Sequence, residues 1–209
     1  MLFTTRILSS LIIVLALNMC TVSQSKSNSA VIIPAVNYLL SDTTPPPHNY
    51  DTTITTTSGD KIGVDKLANG LIFEGHKGQI ILLEYFATWC PHCQDMIPIY
   101  NRLKNQYPND VFIIAIEDGA DGKPGHPQRD NAYMQAYVKQ MRGGIQYSVV
   151  ATENYANLRS YFLQLTGHPR YAYPGLLILN KNGNMSDYHL GEVSYAELNA
   201  IIQNLGGSN

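Results

Sequence analysis

Apolar and polar positions change their rhythm several times along this chain. Ile7–Leu17 is almost wholly apolar, broken by Ser9 and Ser10. Polar Ser, Thr, Asn and Pro then dominate as far as Ser58. From about Tyr50 the pattern becomes that of a folded domain. Ile54–Thr57 and Lys61–Val64 flank Ser58-Gly59-Asp60, which predicts a hairpin. Gln79–Ala87 is a long apolar run rich in β-branched and aromatic residues, the pattern of a strand buried on both faces. Cys90–Tyr107 predicts a helix and Val111–Ile116 a second buried strand. Asp118–Asn131 is rich in Gly, Pro and Asp and predicts a loop. Ala132–Met141 predicts a helix with Asp130 as its N-cap and Gly143-Gly144 as its stop. Ile145–Ala151 predicts a strand, and Glu153–Leu165 a helix ended by Gly167. Leu176–Leu179 and Met185–Leu190 form a hairpin around Asn180–Gly183. Ser194–Leu205 is a last helix, with Ser194 and Glu197 at capping-box spacing. Strands alternating with helices, then a hairpin and a helix, predict an α/β fold with a mixed central sheet.

Length and charge narrow the reading. The 209 residues allow one domain with extensions. Fourteen Lys and Arg against sixteen Asp and Glu give a net charge of −2, which argues against a general nucleic-acid binder. A single basic residue, Arg6, precedes the first apolar run, and small residues follow it. That is the anatomy of a secretory signal, with Thr21 and Ser23 placed for cleavage before Gln24. An uncleaved membrane anchor is the alternative, although the run is shorter than the roughly 20 residues of a span. Cys20 is either lost with the signal or lipid-modified, as in bacterial lipoproteins. The expected organisation is residues 1–23 as signal or anchor, 24–50 as a Ser/Thr/Pro-rich linker, and 51–207 as the domain. The stiff Pro45-Pro46-Pro47 piece suits a tether.

The chemistry concentrates at Cys90-Pro91-His92-Cys93. Two cysteines two residues apart, after a strand and opening a helix, can form a disulfide with little backbone movement. The helix N-terminus favours thiolate at Cys90, and thiolate is the nucleophile. Cys93, one turn deeper, would resolve a mixed disulfide. Half a zinc site and a purely structural disulfide are the alternatives. No second Cys pair exists, and the other histidines lack ligand spacing, so no metal is expected. No phosphate loop, flavin signature or haem attachment motif is present, so no cofactor is expected.

Around this motif the sequence resembles the thioredoxin superfamily, over about residues 50–207. Leu83–Cys93 carries the strand, Trp89 before the first cysteine, and the cysteine pair. Pro98 matches the family's kink proline, and Pro174 its cis-proline. The resemblance implies a thioredoxin-like fold with an N-terminal hairpin and an αβ insertion ahead of Pro174. It implies that Trp89, Tyr173 and Pro174 meet the substrate. It also places Glu84, six residues before Cys90, at the buried-acid position, where it would take the Cys93 proton. Solvent exposure of Glu84 on the strand's outer face is the alternative. No Lys lies in Val111–Ile116 to pair with it.

The layout is similar to the TlpA/ResA-like envelope thioredoxins, many of them reductases. Pro91-His92 is instead the dipeptide of DsbA, an oxidase. A His that donates to the Cys90 sulfur, or is charged beside it, stabilises the reduced form. Potentials in such proteins run from about −270 mV (thioredoxin) to about −120 mV (DsbA), some 7 kcal/mol. His92 as a solvent-facing turn residue is the bland alternative. The expectation is an exported thiol–disulfide oxidoreductase of the bacterial periplasm or envelope. It would act on protein thiols or disulfides and need a membrane redox partner, with its direction open. A non-catalytic tethered binding or chaperone module is the other reading. A peroxiredoxin-like peroxidase fits less well, because Leu83 and Ala87 stand where its Pro and Thr belong.

Overall fold

The computed structural model describes residues 48–119, 123–141, 143–152, 158–167 and 172–208. The expected signal, Cys20 and nearly all of the expected linker lie outside the described residues. Among the described residues, no helix is long and apolar enough to cross a membrane.

Three strands open the domain as an antiparallel sheet: β1 (Thr52–Thr55), β2 (Lys61–Leu67) and β3 (Gly70–Phe73). A five-stranded mixed sheet follows. It contains β4 (Ile80–Phe86), β5 (Val111–Glu117), β6 (Ser148–Val150), β7 (Gly175–Leu179) and β8 (Met185–Leu190) in the order β6-β5-β4-β7-β8. β4, β5 and β6 run parallel, while β7 is antiparallel to β4 and β8 to β7. The helices are α1 (Pro91–Gln106), α2 (Asn131–Gln140), α3 (Leu158–Thr166) and α4 (Tyr195–Asn204). This is the α/β architecture with a mixed sheet expected from the pattern, and the thioredoxin-like fold that the resemblance implied.

Burial explains the runs. Every residue of β4, β5 and β7 is buried. Ile81, Leu83 and Tyr85 of β4 face a core shared with the N-terminal sheet and Phe162 of α3. Ile80 and Leu82 face the opposite core, with Met96, Tyr100 and Leu103 of α1 and Leu198 of α4. A strand covered on both faces has no polar side to show, so its pattern loses alternation. β8, at the sheet's edge, has no buried residue. On α1 the buried positions Cys93, Met96, Ile97, Tyr100 and Leu103 make one stripe at helical spacing. Each fully buried Leu or Ile contributes about 1.5–3 kcal/mol.

Several boundaries differ from the sequence expectation. The N-terminal hairpin is a three-stranded sheet, because β3 follows β2 through a two-residue turn at Ala68-Asn69. β1 ends at Thr55 because Thr56 and Thr57 pair with β6 instead: Thr56 bridges Val150, and Thr57 N–H donates to the Val149 carbonyl. β6 spans only Ser148–Val150. The preceding backbone is held by Asn101 of α1, whose side chain bonds the Gly144 carbonyl and the Gln146 N–H. The described helix before Pro174 is Leu158–Thr166; the expected start at Glu153 lies outside the described residues. The last residues of the expected linker already join the domain. His48 bonds Asp65, and the Tyr50 ring lies where a Cβ on Gly63 would stand.

Candidate active site

The Cys-x-x-Cys pair sits where β4 passes into α1. Cys90 is the N-cap of α1 in extended conformation, and Pro91 occupies the first turn, where a missing N–H costs nothing. The Cys90 sulfur accepts the Cys93 N–H at 3.4 Å. A sulfur in this position is offered one of the helix's unpaired donors and the positive end of its dipole, both of which favour thiolate. Cys90 and Cys93 are free thiols, 4% and 2% exposed.

Cys93 has the opposite environment. Burial, then the nearby Glu84 carboxyl, pushes its thiol well above the ordinary range. Cys93 is therefore arranged to keep its proton until a base takes it.

Glu84 lies on the α1 side of β4, between Ala115 of β5 and Leu176 of β7 in register. It is 1% exposed, so the solvent-facing alternative does not apply. Burial pushes its carboxyl well above the usual range, and one oxygen has no hydrogen-bond partner among the described residues. Ala115 stands opposite, so nothing basic neutralises it from β5. Three tyrosines also line this interior: Tyr100 of α1, Tyr137 of α2 and Tyr147 before β6. Burial raises all three, and Glu84 and Cys93 add to each. The hydroxyls of Tyr100 and Tyr137 are buried without partners among the described residues. The sequence reading did not single out these tyrosines, since aromatic residues at helical spacing read as ordinary core.

His92 is exposed, and its Nδ1 bonds the Glu192 carboxylate on the turn after β8. That is the hydrogen bond found for its ring among the described residues, rather than one to the Cys90 sulfur. Asp95 joins them: one ligand atom from each of His92, Asp95 and Glu192 lies within 4.8 Å of the others, all on exposed residues. This is the one grouping among the described residues that could hold a metal ion.

Trp89, Tyr173 and Pro174 come together beside the cysteines. The Trp89 and Tyr173 rings meet edge-on at 5.6 Å, and the Tyr173–Pro174 peptide is cis. The Tyr173 hydroxyl donates to the Asp118 carbonyl. His126, from the loop before α2, stacks flat on Trp89 at 3.8 Å. Sequence reasoning missed His126 because nothing in a Gly/Pro-rich loop announces its fold-back.

It also missed Glu117. This residue ends β5, is fully buried, and accepts the N–H groups of Thr88 at 2.9 Å and Gly119 at 3.0 Å. Burial pushes its carboxyl up to about 7, opposed by those two hydrogen bonds and by Arg129. An available signal was a carboxylate directly following an unbroken apolar strand. A cavity of about 400 Å³ lies at the other end of β4, lined by Phe73, His76, Gln79 and Lys181 among others. It holds neither cysteine.

The fold and this cysteine pair define the class: a thioredoxin-like domain of the thiol–disulfide oxidoreductase type. Comparison with known proteins agrees. The family model described as Thioredoxin matches residues 72–126. Protein disulfide-isomerase 1 of Dictyostelium discoideum is 44% identical over 50 residues, 22% of this chain and 14% of that protein. The thioredoxin-like protein YneN of Bacillus subtilis is 22% identical over 148 residues, 71% of this chain and 72% of that protein. Thus the chain spans a small part of the disulfide isomerase and most of YneN. Among solved structures, Mycobacterium tuberculosis DsbF superposes with a TM-score of 0.51 at 19% identity, covering 73% of this chain and 93% of that one. A thiol-disulfide isomerase from Corynebacterium glutamicum gives 0.53 at 14% identity, covering 78% and 97%. The chain is therefore similar to thioredoxins over residues 72–126 and has a thioredoxin-like fold, with α2, β6 and α3 lying between β5 and the cis-proline.

Proposed function

We propose that this chain is an exported thiol–disulfide oxidoreductase that exchanges its Cys90/Cys93 pair with protein partners and works toward reduction. The reading rests chiefly on the asymmetry of the pair. Cys90 caps a helix and accepts an N–H, whereas burial and Glu84 hold Cys93 protonated. In the reducing direction the Cys90 thiolate attacks a substrate disulfide and expels one substrate thiolate, which takes a proton from water. Glu84 takes the Cys93 proton, and Cys93 attacks the Cys90 sulfur, expelling the second substrate thiolate. Two electrons pass to the substrate, whose two thiolates take one proton from water and one, by way of Glu84, from Cys93, leaving the Cys90–Cys93 disulfide. Trp89, Tyr173 and Pro174 form the face that meets the partner, and Pro91 starts the helix that carries the pair.

The His92–Glu192 contact supports the reducing direction. A carboxylate on the imidazole offsets the positive charge that would otherwise stabilise the reduced form and make the disulfide a strong oxidant. The leader at residues 1–23 and the tether to about residue 50 suit an envelope protein. Its membrane redox partner would return electrons to the disulfide.

Equilibration of the Cys90–Cys93 pair with glutathione tests the direction. A potential near the thioredoxin value of about −270 mV is expected, and one near the DsbA value of about −120 mV would overturn the reducing assignment. If Cys90→Ser left function in cells intact, the non-catalytic reading would replace this one.

A further inference from the structure

Three loops surround the cysteines, and all three are tied to one short turn. Glu117 Oε2 accepts the Thr88 N–H, two residues before Cys90, and Oε1 accepts the Gly119 N–H. The Gly119 carbonyl in turn accepts the Trp89 indole N–H at 2.8 Å. Between them, Asp118 N–H donates to the Phe86 carbonyl at 2.9 Å, and its own carbonyl accepts the Tyr173 hydroxyl. The Glu117 carbonyl accepts the Thr152 hydroxyl from the end of β6 at 2.9 Å. Gly119 is required sterically: a Cβ there would stand 2.6 Å from Glu117 Oε1, 2.7 Å from the Ala87 Cβ and 2.8 Å from Trp89 Nε1.

We propose that Glu117 is a positioning residue: with Gly119 it clasps Thr88 and Trp89, and so holds Cys90 where its sulfur can accept the Cys93 N–H. The inference rests on the reading of Cys90 as the attacking thiol. A buried carboxylate that only filled space would be poorly chosen, since burial of charge is costly unless hydrogen bonds satisfy it. Here both oxygens are used, each on backbone that fixes the active-site loop. The bond pattern also excludes simple replacement by an amide. A Gln side chain has one accepting oxygen, so its NH2 would face one of the two N–H donors.

The charged groups around Glu117 come from several elements. Arg129, ahead of α2, lowers its pKa and also bonds the Thr88 hydroxyl at 3.3 Å. Asp118 raises it, and Asp118 is itself paired with Arg159 of α3. From α2, Tyr137 senses its charge. The clasp therefore tightens when Glu117 ionises.

The test is the pH profile of Cys90 alkylation by iodoacetamide in the reduced full-length chain. It is run on wild type and on Glu117→Gln, Glu117→Asp and Gly119→Ala. Positioning predicts slower alkylation at pH 8, where Glu117 is ionised, in all three variants, by about tenfold for loss of one charge-assisted hydrogen bond. It also predicts a second inflection near neutral pH in wild type that is absent from Glu117→Gln. A purely electrostatic role predicts faster alkylation in Glu117→Gln and no change in Gly119→Ala, and would overturn the proposal. Loss of thermal stability with unchanged alkylation in the variants that fold would overturn it as well. If Glu117→Gln does not fold, Glu117→Asp and Gly119→Ala decide by the same readout. A wild-type Cys90 with the reactivity of an ordinary thiol would instead overturn the parent reading. A reactive wild type with unchanged variants overturns only this inference.

Discussion

Glu192 holds the imidazole of His92 across one hundred residues of sequence. The carboxylate comes from the turn between β8 and α4, and the histidine from the first turn of α1. A dipeptide that by itself suggests an oxidase is thus answered by an acid that only the fold brings near. Glu192→Gln should remove that acid and leave His92 beside the active site without its counter-charge. Both groups are substantially exposed, so solvent screens the effect. The expected result is a rise in potential of about 10–20 mV, read by equilibration with glutathione. A shift to more negative potential would mean that Glu192 does not act through His92.

Glu117 gives the protein a pH-dependent stability with a definite sign. Its carboxyl is displaced upward from 4.5 to about 7, chiefly by burial. Between these values the folded chain keeps a proton that the unfolded chain has released. The stability from this group is therefore complete below about pH 4.5 and is lost as pH rises through about 7, amounting to about 3 kcal/mol. Urea unfolding from pH 4.5 to 8 should show wild type losing stability across this window, with Glu117→Gln following a flatter curve. Parallel curves would show that Glu117 titrates normally.

Trp89 is the chain's one tryptophan, so its emission reports a single place. The stacked His126 ring and the edge of Tyr173 shelter it. His126→Ala should open one indole face to water and shift the emission to the red, with the cysteines and their helix intact. An unshifted spectrum would show that His126 does not cover Trp89 in solution.

The sequence made the sheet and the cysteine pair legible for a physical reason. β4 and β5 are buried on both faces, and such strands carry unbroken apolar runs that survive any register. The capping residues Asp130 and Ser194 were legible because a cap acts within three residues. The direction that Glu84 faces was not, since a strand apolar on both faces removes the alternation that would place it. Glu117, His126 and Glu192 were missed for a different reason. Their partners Thr88, Trp89 and His92 are distant in the chain, and no local pattern marks a contact made only after the sheet closes. β3 was not expected, because its four residues follow β2 through a two-residue turn, Ala68-Asn69, that carries no strong hairpin dipeptide.

Glu84 should separate activity from stability most sharply. It is a buried carboxyl with one oxygen unpartnered among the described residues and no cation opposite it, an arrangement that costs the fold. Glu84→Leu removes the unpaired group and fits the apolar run of β4, so it should stabilise the protein at pH 7 by roughly 1–3 kcal/mol. The same change removes the base that takes the Cys93 proton. Resolution should slow by roughly a hundredfold, with the mixed disulfide through Cys90 accumulating in rapid-quench experiments. Attack by Cys90 on the first substrate should be little affected, because its thiolate is stabilised by the helix end and the Cys93 N–H. A variant that is more stable and blocked at the second step identifies Glu84 as an acid kept buried for its chemistry. A variant that is more stable and resolves at the wild-type rate would leave proton removal from Cys93 to some other group, with the buried tyrosine hydroxyls the nearest remaining polar groups in that interior.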